Sequence, residues 1–138
     1  MSAAGDTADG ADVYLCDAAA VADGGRGVRF PVRAFGVDAT GFVVRYGGKA
    51  YAYLNRCAHV PVELDGIEGE FFESGKQYLM CSIHGALYLP DSGACAGGPC
   101  RRGRLHPIAV REREGRIYWA PDAHIRPRDA AEQGARAS

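Results

Sequence analysis

The sequence predicts an all-β domain, and three observations lead there. Apolar residues alternate from Phe42 to Leu54 about a Gly47-Gly48 pair. That is the pattern of a tight hairpin, because such a turn needs positive φ and glycine supplies it without strain. A second hairpin is read from Leu105 to Ala120, turning near Glu114-Gly115. No segment sustains a helical period over several turns, and the Ala-rich run from Asp17 to Asp23 covers only about two.

Taken in order, residues 1–11 read as a solvated tail of Ala, Gly, Asp, Ser and Thr. Val13 to Cys16 and Val28 to Ala34 read as strands ahead of the first hairpin. In that hairpin a two-residue turn sets Tyr46 opposite Lys49, Val44 opposite Tyr51 and Phe42 opposite Tyr53, all on one face. A one-residue slip would scatter that apolar face, so the register is self-consistent. Residues 56–103 differ in character. They hold four of the five cysteines and two of the four histidines, with Gly93, Gly97, Gly98 and Pro99 crowded near the end. Such a stretch reads as loops held by something other than a large core. Residues 12–120 form the expected single domain. Residues 121–138 are read as a tail, with a short helix from Asp129 to Ala135 or disorder as the alternatives.

Composition narrows the function. The chain has 138 residues, 16 Lys+Arg against 17 Asp+Glu, and a net charge of −1. At this size roughly 68% of the unfolded surface can be buried, enough for a core without staples. Near-neutral charge argues against a nucleic-acid binder, which needs a basic surplus. The 47% hydrophobic content is too high for a disordered chain. The N-terminus shows no basic and apolar leader, and no run approaches the ~18 apolar residues of a membrane span. A cytoplasmic protein away from membranes is expected, where thiols stay reduced. Gly69-Glu-Phe-Phe-Glu-Ser-Gly-Lys76 imitates a phosphate-binding loop but has the wrong spacing, and Gln77 stands where Ser or Thr is needed.

Five cysteines and four histidines remain to be explained. Two clusters stand out, Cys57-Ala-His59 and Cys81-Ser-Ile-His84, separated by 21 residues. One small tetrahedral ion usually takes C-x₂₋₄-C or H-x₃₋₅-H pairs, so C-x-H is tight for a zinc site, which stays as an alternative. The spacing makes better sense if each loop gives a thiolate to one iron and an imidazole to another.

In these residues the sequence resembles the Rieske [2Fe–2S] family, whose signature is C-x-H followed by C-x-x-H. The resemblance implies one cluster per chain, with Cys57 and Cys81 on one iron and His59 and His84 on the other. It implies a Rieske-type antiparallel β sandwich or barrel into which a small cluster-binding subdomain, residues 56–103, is inserted. His84-Gly-Ala-Leu-Tyr88 resembles the run after the second ligand pair, and Gly93 to Pro99 resembles the Gly- and Pro-rich loop covering the cluster. Ala86, Tyr88, Gly97, Gly98 and Pro99 are thereby placed around the cluster. Val60, Pro61 and Pro99 are read either as an apolar rim for a partner or as ordinary loop packing.

Departures from the family pattern carry information. High-potential members hold an inter-loop disulfide and a Ser whose hydroxyl bonds cluster sulfur; Val62, Ile83 and Ala86 stand at those positions. Hydrogen bonds to sulfur favour the more negative, reduced state, so their loss lowers the potential, with the Tyr88 hydroxyl a partial substitute. Cys95 and Cys100 are read as small buried thiols, a redox-linked disulfide being the alternative. Cys16, His106 and His124 are read as bystanders.

Charge is segregated along the chain. Glu63, Asp65, Glu68, Glu70 and Glu73 run without a basic residue, whereas Arg101 to Arg116 holds six Arg against two Glu. Two solvated faces are the plain reading, and a docking surface beside the cluster is the functional one. The resemblance implies a one-electron carrier, with no catalytic residues of its own, passing electrons from a reductase to an oxygenase-type acceptor. A non-catalytic subunit of a larger oxidoreductase, like the small subunit of some nitrite reductases, is the second reading. A zinc-binding or metal-sensing module is the third.

Overall fold

The Gly47-Gly48 turn dictates the register around which the rest of the molecule is arranged. Both glycines sit at positive φ, 62° and 85°. They join β3 (Val37–Tyr46) to β4 (Lys49–Leu54) with Tyr46 opposite Lys49, Val44 opposite Tyr51 and Phe42 opposite Tyr53, as the sequence predicts. Asp23 fixes the turn from outside, its carboxylate accepting the amides of Gly47 and Gly48 at 3.0 and 2.6 Å. The computed structural model describes residues 12–58, 62–83, 85–100 and 102–128. The expected N-terminal tail and the segment from Asp129 lie outside them.

Ahead of the hairpin come β1 (Val13–Asp17), a single 3₁₀ turn at Ala18–Ala20 and β2 (Val28–Ala34). After it come β5 (Leu79–Met80), β6 (Leu87–Tyr88) and β7 (Cys95–Gly97). The chain then forms β8 (Pro107–Ile108), β9 (Val110–Arg113), β10 (Arg116–Trp119) and β11 (Ile125–Arg126). Among the described residues these strands pair antiparallel throughout. They make a five-stranded sheet in the order β11-β2-β3-β4-β8 and two three-stranded sheets, β1-β10-β9 and β5-β6-β7.

The second hairpin turns at Glu114-Gly115, where both residues have positive φ. Its first part does not stay with it, because Pro107–Ile108 pairs with β4 instead of β10. The stretch beyond Pro121 also contributes. β11 pairs with β2, and Ile125 is buried in the core.

The central hairpin is buried on both faces. Val43, Ala52 and Leu54 join one core with Val32, Ile117, Trp119 and Ile125. Phe42, Val44 and Tyr53 point the other way, into a second core with Leu64, Phe71, Leu79, Tyr88 and Leu105. A strand covered on both sides reads as a continuous apolar run, which accounts for Phe42-Val43-Val44. Phe42 stacks on Phe71 with ring centroids 3.9 Å apart, joining the inserted segment to the hairpin. The inserted loops therefore rest on a wall that the base domain also uses.

Candidate metal centre

β4 delivers the first cysteine loop and β5 the second. Just past β4, Asn55 turns the chain: its amide donates to Thr40 O and its side chain is buried. Asn55 Oδ1 accepts the Leu64 amide at 2.8 Å, and Nδ2 donates to Asp65 Oδ1 at 3.0 Å. The other Asp65 oxygen accepts the Gly69 amide and lies 3.7 Å from Arg29. Removing either partner of such a buried pair strands the other, at a cost of about 1–3 kcal/mol. The pair fastens both ends of the loop that carries Cys57.

The two cysteine loops are built alike. The Cys57 amide donates to Val62 O at 2.8 Å, and the Cys81 amide donates to Ala86 O at 2.9 Å. In each loop the carbonyl five residues on thus closes back onto the cysteine. The loops are also tied together, Ser82 N donating to Leu64 O at 2.9 Å. This backbone bond joins them where Val62 and Ile83 replace the disulfide of high-potential members. Cys57 and Cys81 are both buried and neither is in a disulfide. His59 and His84, with Val60, Pro61 and Arg101, lie outside the described residues. Among the described residues no three His, Cys, Asp or Glu side chains converge as a metal site.

Tyr88 reaches the first cysteine. Its hydroxyl oxygen lies 3.2 Å from Cys57 Sγ and accepts the Ala58 amide at 2.9 Å. A metal-ligating cysteine is a thiolate without a proton, so in that state Tyr88 must be the donor. Burial, and then the bond to Cys57, raise the Tyr88 pKa above its ordinary value and keep that proton in place. Ala86 is fully buried and brings no hydroxyl.

Gly98 closes the arrangement from above. It has φ of 81°, and a Cβ there would stand 2.9 Å from Gly85 O and 3.0 Å from the Ala86 Cα. Only a residue without a side chain lets this loop lie on the second cysteine loop. Two buried sulfurs, a hydroxyl directed at one of them and a close-fitting glycine cover suit a sulfur-ligated cluster. A solvated thiol pair would need none of these.

One reading of the sequence changes here. Cys95 and Cys100 are not thiols: they form a disulfide with Cα atoms 5.8 Å apart. The sequence favours thiols because nothing local shows the bond, which depends on β7 folding back toward Gly103, where Cys95 N donates to Gly103 O. The acidic run keeps Glu63, Glu68 and Glu70 exposed, as a solvated face requires, and withdraws only Asp65 into the interior. Glu63 pairs with Arg29 at 2.9 Å, Asp65 is buried, and Glu70 faces Arg26 at 3.4 Å. Glu73 accepts the amides of Gly75 and Gln77, so the stretch resembling a phosphate loop is filled by its own carboxylate. Asn55 escaped notice because a lone Asn after a strand gives no signal until its buried partner is known. Cys16 is a buried strand residue, and His106 and His124 flank the ring of Phe35.

The chain belongs to the Rieske [2Fe–2S] domain family, which it matches over residues 12–118. Membership implies a [2Fe–2S] cluster and the chemistry of an electron carrier. No curated protein matches the sequence. Among solved structures it resembles the ferredoxin of carbazole 1,9a-dioxygenase from Nocardioides aromaticivorans IC177, with 24% identity and a TM-score of 0.64. That match covers 80% of this chain and 98% of the ferredoxin. A chain from the complex of reduced oxygenase and oxidised ferredoxin in carbazole 1,9a-dioxygenase matches at 25% identity, TM-score 0.61, over 79% of this chain and 92% of that one. The Sphingomonas yanoikuyae B1 ferredoxin matches at 21% identity and TM-score 0.61, covering 80% of this chain and 99% of its own.

Proposed function

We propose that the protein is a one-electron carrier of the ferredoxin type, holding one [2Fe–2S] cluster and serving an oxygenase-type acceptor from a reductase donor. Cys57 and Cys81 would hold one iron, and His59 and His84 the other. When bound, such a centre supplies reversible one-electron exchange at a potential raised by neutral imidazole ligands. The observation that carries this reading is the Tyr88 hydroxyl 3.2 Å from a buried cysteine in one of two matched, cross-tied loops.

The chain's own residues would hold the centre in place. Asn55 and Asp65 fix the first loop, the Ser82–Leu64 bond sets the spacing of the two, and Gly98 admits a close cover. With Cys57 as a thiolate ligand, the Tyr88 hydroxyl 3.2 Å away would donate to its sulfur and favour the reduced state. Among the described residues no helix is long and apolar enough to cross a membrane.

Optical and EPR spectra of the purified protein, before and after dithionite, test the assignment. A red-brown protein with ~2 irons per chain, whose spectrum is altered by His84→Cys or lost in His84→Ala, is expected. A colourless protein carrying one zinc overturns it. A large subunit that stays tightly bound through purification would return the reading to the fixed-subunit alternative.

A further inference from the structure

The disulfide sits in the loop that covers the second cysteine loop, and the carrier function makes no use of it. We propose that Cys95 and Cys100 form a thiol-exchange site: a reversible disulfide, addressed by small or protein dithiols, whose opening loosens the cover over Gly85 and Ala86. The exchange chemistry stands independently of the cluster. Its consequence for electron transfer rests on the function proposed above.

Position is the first argument. The bond closes a ring from Cys95 to Cys100 that contains Gly97, Gly98 and Pro99. Gly98 is the residue lying against Gly85 O and the Ala86 Cα. A ring this short removes little chain entropy from the unfolded state, so the bond is a weak staple. Its effect falls on the shape of the loop it encloses.

The surrounding backbone makes opening survivable. Cys95 N donates to Gly103 O at 3.0 Å, and Gly103 N donates to Cys100 O at 2.9 Å. Ala94 bridges to Arg104, and Leu105 N donates to Gly93 O at 2.9 Å. These ties hold both ends of the loop whether or not the sulfurs are joined. Reduction then releases the crest at Gly98 without detaching its base.

Access is asymmetric. Cys100 is buried at 6% exposure, whereas Cys95 is only partly buried. Exchange requires a thiolate to reach one sulfur, and Cys95 is the one within reach. The incoming thiolate bonds Cys95 Sγ, the Cys95–Cys100 bond breaks, and Cys100 leaves as a thiolate that takes a proton. The second thiol of the reductant then displaces Cys95, which also leaves with a proton. The protein gains two electrons and two protons, and the dithiol departs as a disulfide. Where the compartment is reducing, a bond with one sulfur within reach is a transient, controlling one.

The bond also adjoins the strand that matters for the centre. Across β6 and β7, Tyr88 pairs with Cys95 and Leu87 with Gly97. Loosening β7 therefore acts on the strand that directs the Tyr88 hydroxyl at Cys57.

The full-length protein is equilibrated in dithiothreitol buffers from oxidised to reduced and trapped with iodoacetamide. Mass spectrometry then scores Cys95 and Cys100, and amide hydrogen exchange is followed over residues 85–88. Both cysteines should become alkylated together and reversibly without denaturant, with exchange at 85–88 severalfold faster in the dithiol form. The Cys95→Ser/Cys100→Ser variant should match the dithiol form and ignore the buffer. Cysteines that stay closed until denaturant is added, or exchange rates identical in the two forms, would overturn the proposal. An iron-free protein would defeat the carrier assignment while leaving this measurement readable.

Discussion

Tyr88 and Glu73 show how single side chains spend their hydrogen bonds in this molecule. The Tyr88 hydroxyl accepts from Ala58 and is directed at Cys57. Tyr88→Phe keeps the ring in the core and removes both the contact to Cys57 and the acceptor of the Ala58 amide. We expect its midpoint potential to fall by on the order of 50 mV, the one-electron equivalent of about 1 kcal/mol for a net hydrogen bond. An unchanged EPR-monitored midpoint would remove Tyr88 from the tuning of the centre. Glu73 illustrates the other use. The Gln77 and Gly75 amides hold its carboxyl below the usual carboxylate value. A depressed folded pKa adds stability above the unfolded pKa, lost as pH falls through the folded one. We therefore expect Glu73→Gln to narrow the loss of urea stability between neutral pH and about pH 3, relative to the unaltered protein.

At the scale of elements, backbone conformation sets the covering loop and the β2–β3 connection. The covering loop depends on Gly98 having φ of 81° and no Cβ. Gly98→Ala places a methyl 2.9 Å from Gly85 O in a conformation that L-residues disfavour. A destabilisation of about 1–3 kcal/mol is expected from chemical denaturation, with faster loss of visible absorbance under chelator. A denaturation midpoint equal to that of the unaltered protein would mean that the loop yields without strain. The β2–β3 connection shows what sequence patterning misses. Phe35 and Gly36 turn with φ of 52° and 84°. A bulky residue at the first position gives no turn signal. His124 stacks on the Phe35 ring at 5.3 Å and His106 meets it edge-on at 5.2 Å, so tertiary contacts hold a conformation that local preference opposes.

For the molecule as a whole, the sulfur environment sets where the carrier works. With Ala86 in place of a hydroxyl donor and a backbone bond in place of an inter-loop disulfide, the midpoint should lie in the lower half of the Rieske range of roughly −150 to +300 mV. A protein-film measurement above about +200 mV would contradict this. The acidic run serves the fold at the buried Asp65 and stays at the surface at Glu63, Glu68 and Glu70. Glu63, Asp65 and Glu70 are engaged by Arg29 and Arg26, so they join the first cysteine loop to the chain around β2.

The sequence by itself determined the all-β class and the register of the central hairpin, and its resemblance to a family proposed the ligands. The first two depend on local rules: glycine at positive φ and alternation with period two. Tertiary structure decided that both faces of the hairpin are buried, that Asn55 finds Asp65, and that Cys95 meets Cys100. It also decided that β11 completes the large sheet and that Glu73 fills its own loop. Each of these depends on which segment lies opposite, and a buried polar group or a thiol finds its partner only once the chain has closed around it.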